Sequence, residues 1–112
     1  MLYGEGQVDV LATRALAAGR ATLVEVKDGA RGATLWPRGH APVEIPPHPV
    51  RVRDTTGAGD AFVCGLVAGI LEGMPPERAG QLAAVCGALA CTVPGDWEGA
   101  PRRSELAAWG IP

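Results

Sequence analysis

Asp54-Thr55-Thr56-Gly57-Ala58-Gly59-Asp60-Ala61-Phe62 is the stretch whose reading decides this chain. Two glycines flank an alanine, an aspartate follows at once, and an apolar run continues for about three helical turns. Gly57 and Gly59 permit backbone conformations that set successive N–H groups on one side. The helix predicted from Ala58 to Glu72 adds unpaired N–H donors and a partial positive charge at its start. Together these make an anion site suited to phosphate. A carboxylate at Asp60 would repel that phosphate. It makes sense if it faces the other reactant, a hydroxyl that loses its proton as it attacks. Spacing alone equally describes a plain turn with an acidic residue in the first helical turn. No G-x-x-x-x-G-K-[ST] occurs anywhere, and Phe62 stands where a dinucleotide fingerprint needs Gly or Ala.

Outward from this stretch, the pattern alternates between helix and strand. Ahead of it, Val50-Arg51-Val52-Arg53 alternates and predicts a short strand leading into the turn. The Pro-rich segment 37–49 leaves room for one short edge strand, Pro42 to Ile45, and its His40 and His48 read as loop histidines. Ala33 to Trp36 and Ala21 to Val26 read as strands around the turn Asp28-Gly29-Ala30-Arg31-Gly32, a length that fits an antiparallel hairpin. Val8, Leu11, Ala12, Ala15 and Leu16 have the spacing of an amphipathic helix, with Gly19 as its predicted cap. Helix followed by buried strand is half of a βαβ unit, so parallel strands are expected.

Behind it, the helix from Ala58 is apolar almost all round and is expected to be central and buried. Gly65 and Gly69 share one of its faces, which predicts a close neighbour. Pro75, Pro76 and Glu77 mark the next helix start, over 77–91. Thr92 to Asp96 reads as a turn, and Pro101 to Trp109 as a short final helix with Gly110 after it.

Composition narrows the function classes. A 112-residue chain is one domain or a piece of one. A net charge of −2 argues against a nucleic-acid partner. The apolar runs are too short to span a membrane, and the N-terminus has no signal-peptide pattern. Cys64, Cys86 and Cys91, without a C-x-x-C, read as reduced core thiols in a cytoplasmic protein.

The string from Asp54 to Phe62, followed by Gly65 and Gly69, resembles the C-terminal signature of the ribokinase-like (PfkB) carbohydrate kinases. Lys27-Asp28-Gly29-Ala30-Arg31-Gly32 is similar to that family's turn beside the nucleotide, and Ala90-Cys91-Thr92-Val93-Pro94-Gly95 to the segment after its penultimate helix. The resemblance implies a partial three-layer α/β/α sandwich, with parallel strands, a β-hairpin and packed helices. It implies ATP-dependent phosphorylation of a sugar hydroxyl, with Mg²⁺ and, in some members, K⁺. Asp60 would be the catalytic base, and the amides of Gly57, Ala58, Gly59 and Asp60 the anion hole. Gly29 and Gly32 would shape the ATP site, and Ala84 stands where many members carry an Asn facing the adenine. Asp54, Thr56, Ala90 and Gly95 would match a monovalent-cation site, and Asp96 replaces a usual small residue. Family members are substantially longer, and their N-terminal part supplies the sugar-binding residues and lid. The chain is therefore expected to be a single partial domain over 1–112, inactive alone. Its partners would be ATP, a small sugar-like substrate, and either the missing N-terminal half or a second copy at an exposed sheet edge. The competing expectation is a non-catalytic nucleotide-binding or oligomeric α/β remnant.

Overall fold

The structure is a computed structural model that describes residues 5–95 and 97–111. Asp96 therefore lies outside the described residues. Helix α1 (Glu5–Ala18) precedes strand β1 (Leu23–Lys27), a 3-10 turn (Gly29–Arg31), β2 (Ala33–Pro37) and β3 (Val43–Ile45). Helices α2 (Ala58–Leu71) and α3 (Pro76–Ala90) follow, and a 3-10 helix spans Arg103–Trp109.

The three strands form one antiparallel sheet in the order β1-β2-β3. Leu23 pairs with Pro37 and Lys27 with Ala33, while Ala33 also faces Ile45 on the other side. The predicted hairpin and the short edge strand are both present. The parallel strands are not: every pairing among the described residues is antiparallel. The reason is connection length, since the short links between these strands can only reverse the chain, and a parallel neighbour needs a crossover of about a dozen residues or more. The strand expected over Val50–Arg53 is likewise absent. That segment spends the amides of Arg53 and Asp54 on the Cys91 carbonyl, at 2.7 and 3.1 Å, so it is tied to the end of α3 and not to a sheet.

The core lies between the sheet and the α2–α3 pair. Ala33 and Leu35 of β2 and Ile45 of β3 meet Phe62 and Leu66 of α2 and Ala79 and Ala83 of α3. A second cluster joins Leu82, Val85 and Leu89 to Leu106 and Ile111, so the C-terminal 3-10 helix closes the far side of α3. Leu35 and Leu82 are the largest fully buried side chains. Each such burial stabilises the fold by about 1.5–3 kcal/mol. Trp36, on the opposite face of β2 by strand alternation, is buried too, so the sheet is covered on both sides at its centre.

The close approach predicted from Gly65 and Gly69 is present. A Cβ at Gly65 would lie 2.9 Å from the Cα of Ala83, and one at Gly69 would lie 2.8 Å from the Cα of Ala79. Helix α2 is buried on that face only. Val63, Val67 and Ile70 are exposed, and Leu71 is 81% exposed, so the fully central helix expected from its composition is half uncovered. Helix α1 differs in the same sense, because Ala12 is buried while Val10 and Leu11 are exposed. Its C-terminus is also capped in an unforeseen way. Gly19 does not take a left-handed conformation. Instead the Arg38 guanidinium, from just after β2, donates to the carbonyls of Leu16, Gly19 (3.1 Å) and Ala21 (2.7 Å). The cysteines also depart from expectation. Cys91 is buried and Cys86 half-buried, but Cys64 is exposed on the uncovered face of α2.

Candidate active site at the start of α2

Gly57 is the N-cap of α2 and takes the left-handed conformation, φ 79°, that a side-chain-bearing residue rarely adopts. No side chain caps this helix end. The Ala58 amide turns back to the Thr55 carbonyl at 3.2 Å, and the first full helical bond runs from the Ala61 amide to the Gly57 carbonyl. The start of α2 is thus a glycine-lined set of N–H groups with a partial positive charge and no side-chain cap, and Asp60 is the acidic residue of its first turn.

Two concave regions meet at this turn. The first, of about 390 Å³, is lined by Ala58, Gly59 and Phe62 of α2, by Gly29 and Gly32 of the β1–β2 turn, and by Ala84 and Gly87 of α3. Pro47, His48, Val50 and Val52 also line it. Gly32 is required there: its φ is 99°, and a Cβ would collide with the Ile45 carbonyl. The second is a groove bordered by Asp60, Cys64, Ala68, Cys86, Trp97 and Arg103. Asp60 is exposed and lines this groove but not the first cavity. The turn therefore carries Asp60 on one side and Ala58 and Gly59 on the other.

Asp54 fixes the turn from below. One carboxylate oxygen accepts the Thr56 amide at 2.9 Å and the other accepts the Gly95 amide at 3.0 Å. The Thr56 amide, then the Gly95 amide, hold the Asp54 carboxyl below the usual carboxylate range. This explains why the turn needs an aspartate before its threonines: it joins the start of α2 to the loop after α3. Cys86 is shifted the other way, since burial, and then the nearby Cys64, push its thiol up.

Of the residues singled out in the sequence, Gly57 caps α2 and Asp60 lines the second groove, and the others fall into two groups. Gly29, Gly32, Ala58, Gly59 and Ala84 line one cavity. Asp54, Thr56 and Gly95 are joined through one carboxylate, and Ala90 lies one residue before Cys91, whose carbonyl takes the Arg53 and Asp54 amides. Among the described residues, no three His, Cys, Asp or Glu side chains group as a metal site. No helix among them is long and apolar enough to cross a membrane. Two residues were missed. His48 reads as a solvated loop residue in the sequence, yet it stands in the cavity wall with its ring edge-on to Trp109 at 5.4 Å. Lys27 ends β1 with its ammonium 5.3 Å from the centre of the Phe62 ring. Its place directly before the Asp28–Gly32 turn is the signal that could have found it.

Comparison with known proteins places this geometry. Residues 3–103 match the model of the pfkB family carbohydrate kinases. An acarbose 7(IV)-phosphotransferase of Actinoplanes sp. is 43% identical over 105 residues, 88% of this chain and 34% of that protein. A fructokinase of Klebsiella pneumoniae is 42% identical over 91 residues, 76% of this chain and 29% of that protein. The structure of Arabidopsis thaliana ribokinase complexed with ribose and ATP superposes with a TM-score of 0.85 at 28% identity, covering 94% of this chain and 34% of that one. The ribokinase-like α/β fold expected from the sequence is thus the observed one, and the chain spans about a third of the length of the proteins it matches. The match spans the Gly29–Gly32 turn, the start of α2 and the helix pair behind it: this chain belongs to the pfkB family of carbohydrate kinases.

Proposed function

We propose that the chain is the ATP-binding and catalytic-base part of a kinase that transfers the γ-phosphoryl group of ATP to a sugar hydroxyl. It would act as the C-terminal part of a longer domain, with the sugar held mainly by the rest. The observation that carries this reading is the division at the start of α2, with Ala58 and Gly59 lining a cavity and Asp60 lining the opposite groove. Phosphoryl transfer needs this separation, because the donor phosphate requires positive surroundings and the acceptor hydroxyl requires a base.

In this reading ATP occupies the cavity between the Gly29–Gly32 turn and α3, with its base near Ala84 and its phosphates toward Gly59. The amides of Gly57, Gly59 and Asp60 receive the transferred group; that of Ala58 joins them only by releasing Thr55. The Asp60 carboxylate orients the sugar hydroxyl and takes its proton. Mg²⁺ would arrive on the nucleotide phosphates. Asp54, held ionised by two amides and keeping a lone pair on each oxygen, fits a monovalent cation such as K⁺, with carbonyls near Thr56, Ala90 and Gly95 as further ligands. An ATP-dependent reaction and three free cysteines suit a cytoplasmic setting.

Calorimetric titration with ATP and Mg²⁺ is expected to show saturable binding, and no heat at millimolar ATP would remove the reading. Transfer is then assayed over ketoses, aldoses and nucleosides, with the chain alone and with a longer enzyme that contains it. Where transfer occurs, Asp60→Ala should lower it about 10²–10⁴-fold. An unchanged rate would show that Asp60 is not the base.

A second reading, a module that binds a partner chain without catalysis, is favoured by one observation. The α2 face bearing Val63, Val67, Ile70 and Leu71 is apolar and uncovered, as is Trp97 nearby. β1 and β3 also each leave one strand edge unpaired among the described residues. Light scattering separates the two: a monomer that binds ATP supports the first, and an oligomer without nucleotide affinity supports the second.

A further inference from the structure

We infer that the groove beside Asp60 takes an elongated, uncharged saccharide of more than one ring, with the Trp97 indole as the platform for one of the rings. This inference rests on the proposal that Asp60 faces the acceptor hydroxyl, and it names the class of acceptor. Asp60, Cys64, Ala68 and Glu72 all border the groove and stand four residues apart, so they form one stripe down α2. At ~1.5 Å of rise per residue that stripe is about 18 Å long. A hydroxyl placed at Asp60 uses only the first part of that length. The groove holds about 620 Å³, a size that takes a ligand larger than a single sugar ring.

The walls match such a ligand in chemistry. Trp97, from the loop after α3, borders the groove and is 73% exposed. Its amide donates to the Glu98 carboxylate at 3.2 Å, which ties its backbone locally. An indole offers a flat apolar surface to the C–H face of a pyranose and an N–H donor to a hydroxyl at its edge. At the end far from Asp60, the Glu72 carboxylate meets the Arg103 guanidinium at 2.9 Å, and both side chains are half-exposed. That pair sets acceptor and donor atoms side by side, which suits neighbouring hydroxyls, and its charges cancel.

Asp60 then leaves the groove with a net negative charge, so a sugar phosphate or sugar acid is repelled and an uncharged chain is not. A packed helix of another protein fits less well. It would bury the Asp60 carboxylate and the half-exposed ion pair away from water, whereas a polyhydroxylated ligand supplies hydrogen bonds to both.

The test titrates the unmodified chain, Trp97→Ala and Trp97→Phe with glucose, glucose 6-phosphate, maltotetraose and cellotetraose. Calorimetry and tryptophan emission are read together, with urea unfolding alongside. At least one tetrasaccharide is expected to bind about ten-fold or more tighter than glucose and to move the emission to shorter wavelength, as an exposed indole becomes covered. Trp97→Ala should lose about ten-fold in that affinity and Trp97→Phe recover most of it, with both urea midpoints within error of the unmodified chain. Glucose binding as tightly as either tetrasaccharide, glucose 6-phosphate binding tighter than glucose, or no tetrasaccharide binding at all overturns the inference. Binding without an emission shift, or with full affinity in Trp97→Ala, overturns the role of Trp97. A chain that binds ATP but no saccharide loses this inference alone, and one that binds a tetrasaccharide but no ATP loses the kinase reading and keeps the groove.

Discussion

The two faces of α2 have nearly the same hydrophobicity and opposite fates. The face with Phe62, Gly65, Leu66 and Gly69 lies against α3 so closely that two of its positions have no room for a Cβ. The face with Val63, Val67, Ile70 and Leu71 has nothing over it. The difference is one of shape. Small residues on α2 meet small residues on α3, Gly65 against Ala83 and Gly69 against Ala79, so the two backbones approach and dispersion contacts accumulate. The face with Val63, Val67, Ile70 and Leu71 offers bulk without a matching surface among the described residues. Apolar composition says that a helix is to be buried, and glycine placement says against what.

Three substitutions sharpen that contrast. Leu82→Ala, on α3 beside Ala68 of α2, should cause the largest loss, about 2–5 kcal/mol, read as a lower urea midpoint with an unchanged slope. A loss below ~1 kcal/mol would mean that this side of the helix pair collapses around the cavity. Gly69→Ala adds one methyl where the Ala79 backbone already stands. It should destabilise by about 1–3 kcal/mol, although alanine is the better helix former, and a gain in stability would show that the helices can separate cheaply. Leu71→Lys on the open face should change folding stability least, within about 0.5 kcal/mol. Its effect should show in light scattering, where any self-association through this face weakens. Stability loss as large as that of Gly69→Ala would show that the open face is covered in solution.

Local signals carried most of the fold. The hairpin, the edge strand and the helix starts were legible because turns, prolines and caps act over a few residues. The glycine pair at Gly65 and Gly69 even indicated a tertiary contact, because it has no local justification. Three features were not legible. The sheet reads as parallel when a helix followed by a strand is taken as half of a crossover, and only the actual pairing partners correct that. Val50–Arg53 alternates like a strand but is held by a single carbonyl at Cys91, a residue 38–41 positions away in sequence. The Arg38 cap on α1 joins residues about 20 apart, beyond any capping pattern. In the candidate site, Gly29, Gly32, Gly57 and Asp60 were visible through their motifs. His48 was not, because what distinguishes it is position across a cavity, and Lys27, though it stands in the turn motif, was not singled out because its approach to Phe62 is a tertiary contact.

The bond between the Asp54 carboxylate and the Gly95 amide bears on the order of folding. Asp54 accepts the Gly95 amide across 41 residues, and between those two points lies the whole α2–α3 hairpin. The helices can form and pair through short-range contacts first, since each needs only a small loop to close. The clasp between Asp54 and Gly95 must wait until both helices are in place, because the pairing of α2 with α3 is what brings its two ends together. The turn bearing Gly57 to Asp60 would thus acquire its final geometry last during folding and lose it first on partial opening. Hydrogen exchange at the Thr56 and Gly95 amides would report this directly, as protection that vanishes in conditions where the α3 interior still holds its own.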